Sequence, residues 1–202
     1  MTTALDDSTH TGTGDAFRGR LLDGLADSIT DRGYRDTTVA DVVRNAKTSK
    51  RTFYDQFASK EECFIELLRR DNQTMIDGIL AAVDLEASPY GQVDTALNAY
   101  IDHIAARPSI TLSRIREAPA LGDAARGLHR LAMDNFTDML VAISSSPGFE
   151  RAGLAPVSRQ LALILLGGLQ ELTASFVEDG RDVRGIAETS AAATRALLGL
   201  QT

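Results

Sequence analysis

Thr38-Val39-Ala40-Asp41-Val42-Val43-Arg44-Asn45-Ala46-Lys47-Thr48-Ser49-Lys50-Arg51-Thr52-Phe53-Tyr54-Asp55-Gln56-Phe57-Ala58-Ser59-Lys60-Glu61-Glu62 contains three helix starts within 25 residues. Thr38 offers a hydroxyl to the free N–H groups of a first turn, with Asp41 three residues on as its return partner. Val39, Val42, Val43 and Ala46 then form one apolar face, which predicts a helix of about two turns. Ser49 is a second cap, opening a segment from Lys50 to Phe57 whose Phe53 and Phe57 share one side. Ser59 and Glu62 make a third start, a capping box that opens a long helix through Phe64, Leu67, Leu68, Met75 and Leu80. Two short helices joined by a tight turn form a helix-turn-helix.

Outward from this stretch the pattern stays helical, with no alternating strand or tight hairpin signal. On the N-terminal side, Phe17, Leu21, Leu22, Leu25 and Ile29 recur at three- and four-residue steps over 15–32, and Gly33 is placed to stop the helix. Residues 1–14 are polar and acidic, lacking the basic start and apolar stretch of a secretory signal, and predict a disordered arm. The chain carries a net charge of −7, yet Arg44, Lys47, Lys50, Arg51 and Lys60 face a single acid, Asp55, between positions 44 and 60. A basic window in an acidic chain fits a localised phosphate-binding footprint; taken alone, it fits a solvated helix face equally well.

The succession Thr38 to Val43, Ala46 to Phe57 and Ser59 to Glu62 closely resembles the DNA-binding domain of TetR-type repressors, over about residues 15 to 65. The match needs an aromatic pair, a cap-Lys-Glu start to the fourth helix and fixed spacing between them. The resemblance implies that Thr38 caps the second helix and touches a phosphate. It places Lys47, Thr48, Ser49, Lys50, Arg51 and Thr52 in the turn and the first turn of the recognition helix, as base-edge and phosphate contacts. It gives the Tyr54 hydroxyl and Lys60 to the DNA backbone, and Phe53 and Phe57 to packing. Lys47 departs from the pattern, because the family most often has glycine there and lysine does not freely adopt positive φ.

The implied architecture is all-α: a helix-turn-helix domain over 15–62 and a helical ligand-binding and dimerisation domain over 63–202. Ser88-Pro89 predicts a fifth helix to Arg107, stopped by Pro108. Further helices are expected over 110–117, 123–143, 157–179 and 183–200. The resemblance implies that the last two pair with their copies in a homodimer. Leu163, Leu166, Leu169, Gln170 and Thr173 are expected at that seam on one helix, and Ala187, Ala191, Thr194, Ala196 and Leu198 on the other, although core packing within one subunit would use the same residues. A twofold dimer sets two recognition helices about 34 Å apart, or a multiple of a DNA turn, on a near-palindromic double-stranded operator.

The resemblance also places a small hydrophobic or amphipathic effector between helices over 100–172. Tyr100, His103, Ile104, Leu112, Ile115 and Arg116 are candidates on the first part of that span, and His129, Met133, Phe136, Leu165 and Leu169 on the second. For His103 and His129 a satisfied or exposed helix histidine is the simpler reading, and for Met133 and Phe136 the core is.

Catalysis, metals and cofactors find no support in the sequence. His10, His103 and His129 share no metal-ligand spacing, and Gly12-Thr13-Gly14 precedes no strand. Cys63 is the lone cysteine, so no intrachain disulfide forms, and the apolar stretch Leu161 to Leu169 is too short for a membrane span. A cytoplasmic protein is expected. A helical enzyme and a dimeric module without DNA recognition are the rivals, and salt-sensitive DNA binding separates them from a regulator.

Overall fold

The computed structural model describes residues 8–200, all of whose regular structure is helical. The chain divides into two compact units at Leu68 and Arg69. Of the arm expected over 1–14, residues 1–7 lie outside the described residues and residues 8–14 are described as the opening of the first helix.

The first unit begins with α1 (Ser8–Asp36), interrupted at Gly33, whose φ of 79° and ψ of 163° leave the helical region. That residue is where the sequence predicts a stop, and only glycine holds such a conformation without a Cβ penalty. α2 (Val39–Asn45) starts at Thr38 with both halves of the capping box formed, and α3 (Lys50–Gln56) starts at Ser49, whose hydroxyl accepts the Thr52 N–H. Leu21, Leu25 and Ile29 from α1 share the core with Val42, Phe53, Phe57, Phe64 and Leu67. Tyr34 stacks on Phe64 with ring centroids 3.9 Å apart.

α4 (Lys60–Ala82) begins in the first unit and ends in the second. The Ser59 hydroxyl accepts the Glu62 N–H, but the Glu62 carboxylate reaches the Ala58 N–H rather than the cap's own. Leu80, expected on the apolar face, is exposed.

The second unit continues with α5 (Pro89–Ala106), α6 (Pro108–Arg116), a 3-10 turn (Ala118–Leu121), α7 (Asp123–Ser144), α8 (Pro147–Arg151) and α9 (Arg159–Glu178). A 3-10 turn over Val183–Ile186 precedes α10 (Ala187–Leu197), so the helix expected over 183–200 is two pieces. α8 falls where Pro147-Gly148 reads as a separator. Proline at its first turn is compatible with helix, since that N–H has no intrahelical partner. The core runs from Ile79 and Val83 through Leu97, Ile101 and Ile104 to Phe136, Ile143 and Phe149.

A polar cluster interrupts this core near the start of the second unit. Asp71, almost fully buried, accepts from His103 Nε2 at 3.1 Å and lies 3.6 Å from the Arg107 guanidinium. A buried carboxylate needs such partners.

Candidate nucleic-acid interface and effector cavity

In the first unit, side chains near the turn sort into two groups by whether their polar atoms are already engaged. The Thr38 hydroxyl donates to Asp41 Oδ2 at 2.7 Å, and the same carboxylate takes the Thr38 N–H at 3.0 Å, Arg44 at 2.7 Å and Arg32 at 3.3 Å. The Thr38 side-chain hydrogen bond, then its backbone one, are the main reasons Asp41 is held well below the ordinary carboxylate range. Ser49 and Thr52 share their hydroxyls at 2.9 Å. Lys60 turns its ammonium onto the carbonyls of Tyr34 at 3.0 Å and Thr37 at 2.8 Å, with the Tyr34 ring 4.3 Å away. Two of the three Lys60 donors therefore close the end of α1, and one is left for any phosphate.

The second group is unspent. Lys47, Lys50 and Arg51 are exposed, and with the Tyr54 hydroxyl they make no hydrogen bond or ion pair among the described residues. Tyr54 is 58% exposed and sets its ring edge-on against buried Phe53. The amphipathic cut of α3 is thus sharp: Phe53 and Phe57 face the core while cations and a phenol face outward. Lys47 has φ 50°, the one described non-glycine residue in the left-handed region. That conformation costs an L-residue about 1–2 kcal/mol, so the turn carries strain that glycine would not.

The second unit encloses a cavity of about 90 Å³, walled by Val93, Leu97 and Tyr100 of α5, by Phe136, Met139 and Ile143 of α7, and by Leu165, Leu166 and Leu169 of α9. Ile79, Phe149 and Leu198 add walls from α4, α8 and the end of α10. The Gln92 amide gives its hydrogens to the carbonyls of Leu85 and Ala87, and its oxygen accepts from Ser146. Ser144 donates to the Val141 carbonyl and accepts from the Val157 N–H. Burial pushes the Tyr100 hydroxyl above its usual range, against the opposing charge of Arg114 and a hydrogen bond with Thr173.

The family model for bacterial regulatory proteins of the tetR family matches residues 21–67, the segment just described. Over these residues the chain is similar to the DNA-binding domain of the tetR family. The activator FasR of Mycolicibacterium smegmatis is 28% identical over 90 residues, covering 45% of this chain and 41% of FasR. The repressor KstR2 of Mycobacterium tuberculosis is 39% identical over 72 residues, 36% of each chain. These alignments thus span well under half of either relative. The transcriptional regulator FadR from Bacillus subtilis, solved in complex with stearoyl-CoA, shares the fold at a TM-score of 0.74 and 15% identity, over 91% of this chain and 99% of that one. A segment similar to the tetR-family DNA-binding domain is therefore part of a chain that shares its fold with FadR.

The structure gathers only some of the effector residues expected from TetR resemblance. Tyr100, Phe136, Leu165 and Leu169 line the cavity, and Met133 lines a recess beside it. Ile104 is fully buried in the core, while Leu112 and Ile115 are half-buried on α6 and line neither space. His103 is taken by Asp71, and His129 is exposed. Arg116 is clamped at the surface by Glu178 and Glu171, which hold its guanidinium above its ordinary range. Gln92, Val93 and Leu97 were readable as the upstream continuation of the Tyr100 and Ile104 stripe; Ile79, Phe149 and Leu198 come from elements far apart in sequence.

Proposed function

We propose that this chain is a ligand-responsive transcriptional regulator, a cytoplasmic repressor that binds a near-palindromic operator as a homodimer and leaves it when a small hydrophobic or amphipathic effector occupies the second unit. The observation that carries this reading is the unspent set Lys47, Lys50, Arg51 and Tyr54 on the outer side of a helix anchored by Phe53 and Phe57. Those groups suit phosphates and base edges, whereas a catalytic site would need a positioned nucleophile, base or metal.

Dimerisation through α9 and α10 is supported by exposed apolar surface on both. Leu163 and Ile164 are 47% and 63% exposed, and Gly167 and Gly168 beside them allow close backbone approach. Leu197 and Ala196 are exposed on α10. α9 is long and apolar enough to cross a membrane by length and composition, but a helix with one face in a core and another uncovered suits a partner subunit better. Of the residues expected at the seam, Leu166 and Thr173 are buried and Leu169, Thr194 and Leu198 line the cavity, so a seam built on the exposed residues would be offset from the expected one.

Apolar walls suit a ligand with a hydrocarbon chain, of the kind present in the stearoyl-CoA complex of FadR. Ligand sites for drug-sized molecules span about 300–1,000 Å³, several times the volume here. Binding such a chain therefore parts the helices that wall the cavity, and preference for the parted conformer is the differential affinity that release requires.

Selection of bound sequences from random duplexes, repeated across salt concentrations, tests this reading. A palindrome is expected, with Tyr54→Phe losing affinity while selecting the same sequence; no enrichment at any salt would overturn it. Lys47→Gly separates strain from contact. Relief of the left-handed lysine is expected to stabilise the first unit by up to about 1 kcal/mol, net of glycine's entropy. Loss of one phosphate contact is expected to flatten the slope of log affinity against log salt by about 0.9. A raised melting temperature with an unchanged slope would remove Lys47 from the interface.

A further inference from the structure

No charged residue lines the cavity, but the adjoining recess has one. Tyr100, Phe136, Leu166 and Leu169 border both spaces, and the recess adds Arg114, Met133 and Gln170. Arg114 sits on α6 four residues after fully buried Ile110, so it shares the inward side of that helix. Its Nε is buried and has no hydrogen-bond partner.

Proton accounting makes this donor stand out. Thr173 donates its one hydroxyl hydrogen to the Leu169 carbonyl at 2.7 Å, so in the 3.2 Å contact with Tyr100 the phenol must be the donor. The hydrogen of Tyr100 is thereby spent, as are those of Gln92 and Ser144. Beside the Thr194 hydroxyl of the cavity and the Gln170 amide of the recess, Arg114 is the one charged donor, and its buried N–H lacks an acceptor, which costs free energy until a ligand supplies one.

We infer that the effector is an amphiphilic monocarboxylate of the fatty-acid class, its chain among the α5, α7 and α9 side chains and its carboxylate on Arg114. The inference rests on the effector reading above and narrows it to one charge, one anchor and one chain. A carboxylate matches the guanidinium in geometry and charge, whereas an alcohol offers a weaker acceptor and an ammonium repels it.

Calorimetric titration of the full chain with decanoate, 1-decanol, decylammonium and decanoyl-CoA below their aggregation limits tests this. Decanoate is expected to bind about ten- to a hundredfold more tightly than 1-decanol, with decylammonium weakest. Arg114→Gln should reduce decanoate to the level of 1-decanol while leaving 1-decanol unchanged, and Arg114→Lys should restore a preference for the acid. Melting curves confirm that both variants fold. Equal binding of acid and alcohol by the parent chain overturns the proposal, and so does a preference that survives Arg114→Gln. Decanoyl-CoA binding more tightly than decanoate, insensitive to Arg114, overturns it in favour of a thioester held elsewhere. If none of the four binds while salt-sensitive operator binding persists, the effector assignment falls with the proposal and the DNA-binding reading stands.

Discussion

Phe53→Ala is expected to destabilise the first unit by about 3–5 kcal/mol, the range for truncating a fully buried phenylalanine. Domains are stable by only about 5–15 kcal/mol, so the change consumes a large share of that margin. Phe53 has no exposed surface; it packs 5.8 Å from Phe57 between ring centroids and supports the Tyr54 ring at 5.4 Å. Phe57 is in turn covered by the Arg18 guanidinium at 4.3 Å, and Arg18 also donates to the Gln56 carbonyl. Removing the ring thus loosens α3 against α1 as well as opening a void. Urea unfolding followed by circular dichroism, with operator titration in parallel, should show affinity falling with the folded fraction, and Phe53→Leu should lose less of both. Full stability with lost DNA binding would instead place Phe53 at the DNA surface.

Gly148→Ala is the corresponding experiment in the second unit. A Cβ at Gly148 would lie 2.0 Å from the Ala87 carbonyl oxygen and 2.4 Å from Gln92 Nε2. Neither neighbour yields easily. The Ala87 oxygen accepts from Gln92 Nε2 at 2.9 Å, the Gly148 N–H donates to the Leu85 carbonyl at 3.0 Å, and Ser146 fixes the Gln92 oxygen. Overpacking at such a site is expected to cost about 3 kcal/mol or more, with buried hydrogen bonds broken in addition. Gln92 and Phe149 both wall the cavity, so decanoate affinity should fall together with the melting temperature. An unchanged melting temperature would mean that α8 moves aside freely and does not hold this wall.

What was legible in the sequence is what local rules decide. The caps at Thr38 and Ser49 act within three residues of themselves, and the inward side of α3 follows from the spacing of Phe53 and Phe57, so the helix-turn-helix was readable down to its turns. The target of Lys60 was not, because the carbonyls it meets belong to Tyr34 and Thr37, brought near only by folding. α8 escaped because Pro147-Gly148 serves a helix start as well as a turn. The polar anchor shows how narrow the margin is: Arg114 and Arg116 stand two residues apart, about 200° around a helix, so one faces the recess and the other two surface glutamates. Apolar residues around both give a phase too weak to choose between them before the fold is known.

On the effector reading proposed above, a cavity of about 90 Å³ would make occupancy and response separate properties of this molecule. A compound small enough to fit enters without displacing a wall and leaves the protein in the shape it already has. A longer chain acts as a wedge, and only the wedge does mechanical work on the helices. Short members of an effector series are therefore expected to compete with long ones without releasing DNA, as silent occupants of a gauge that responds only beyond a threshold length.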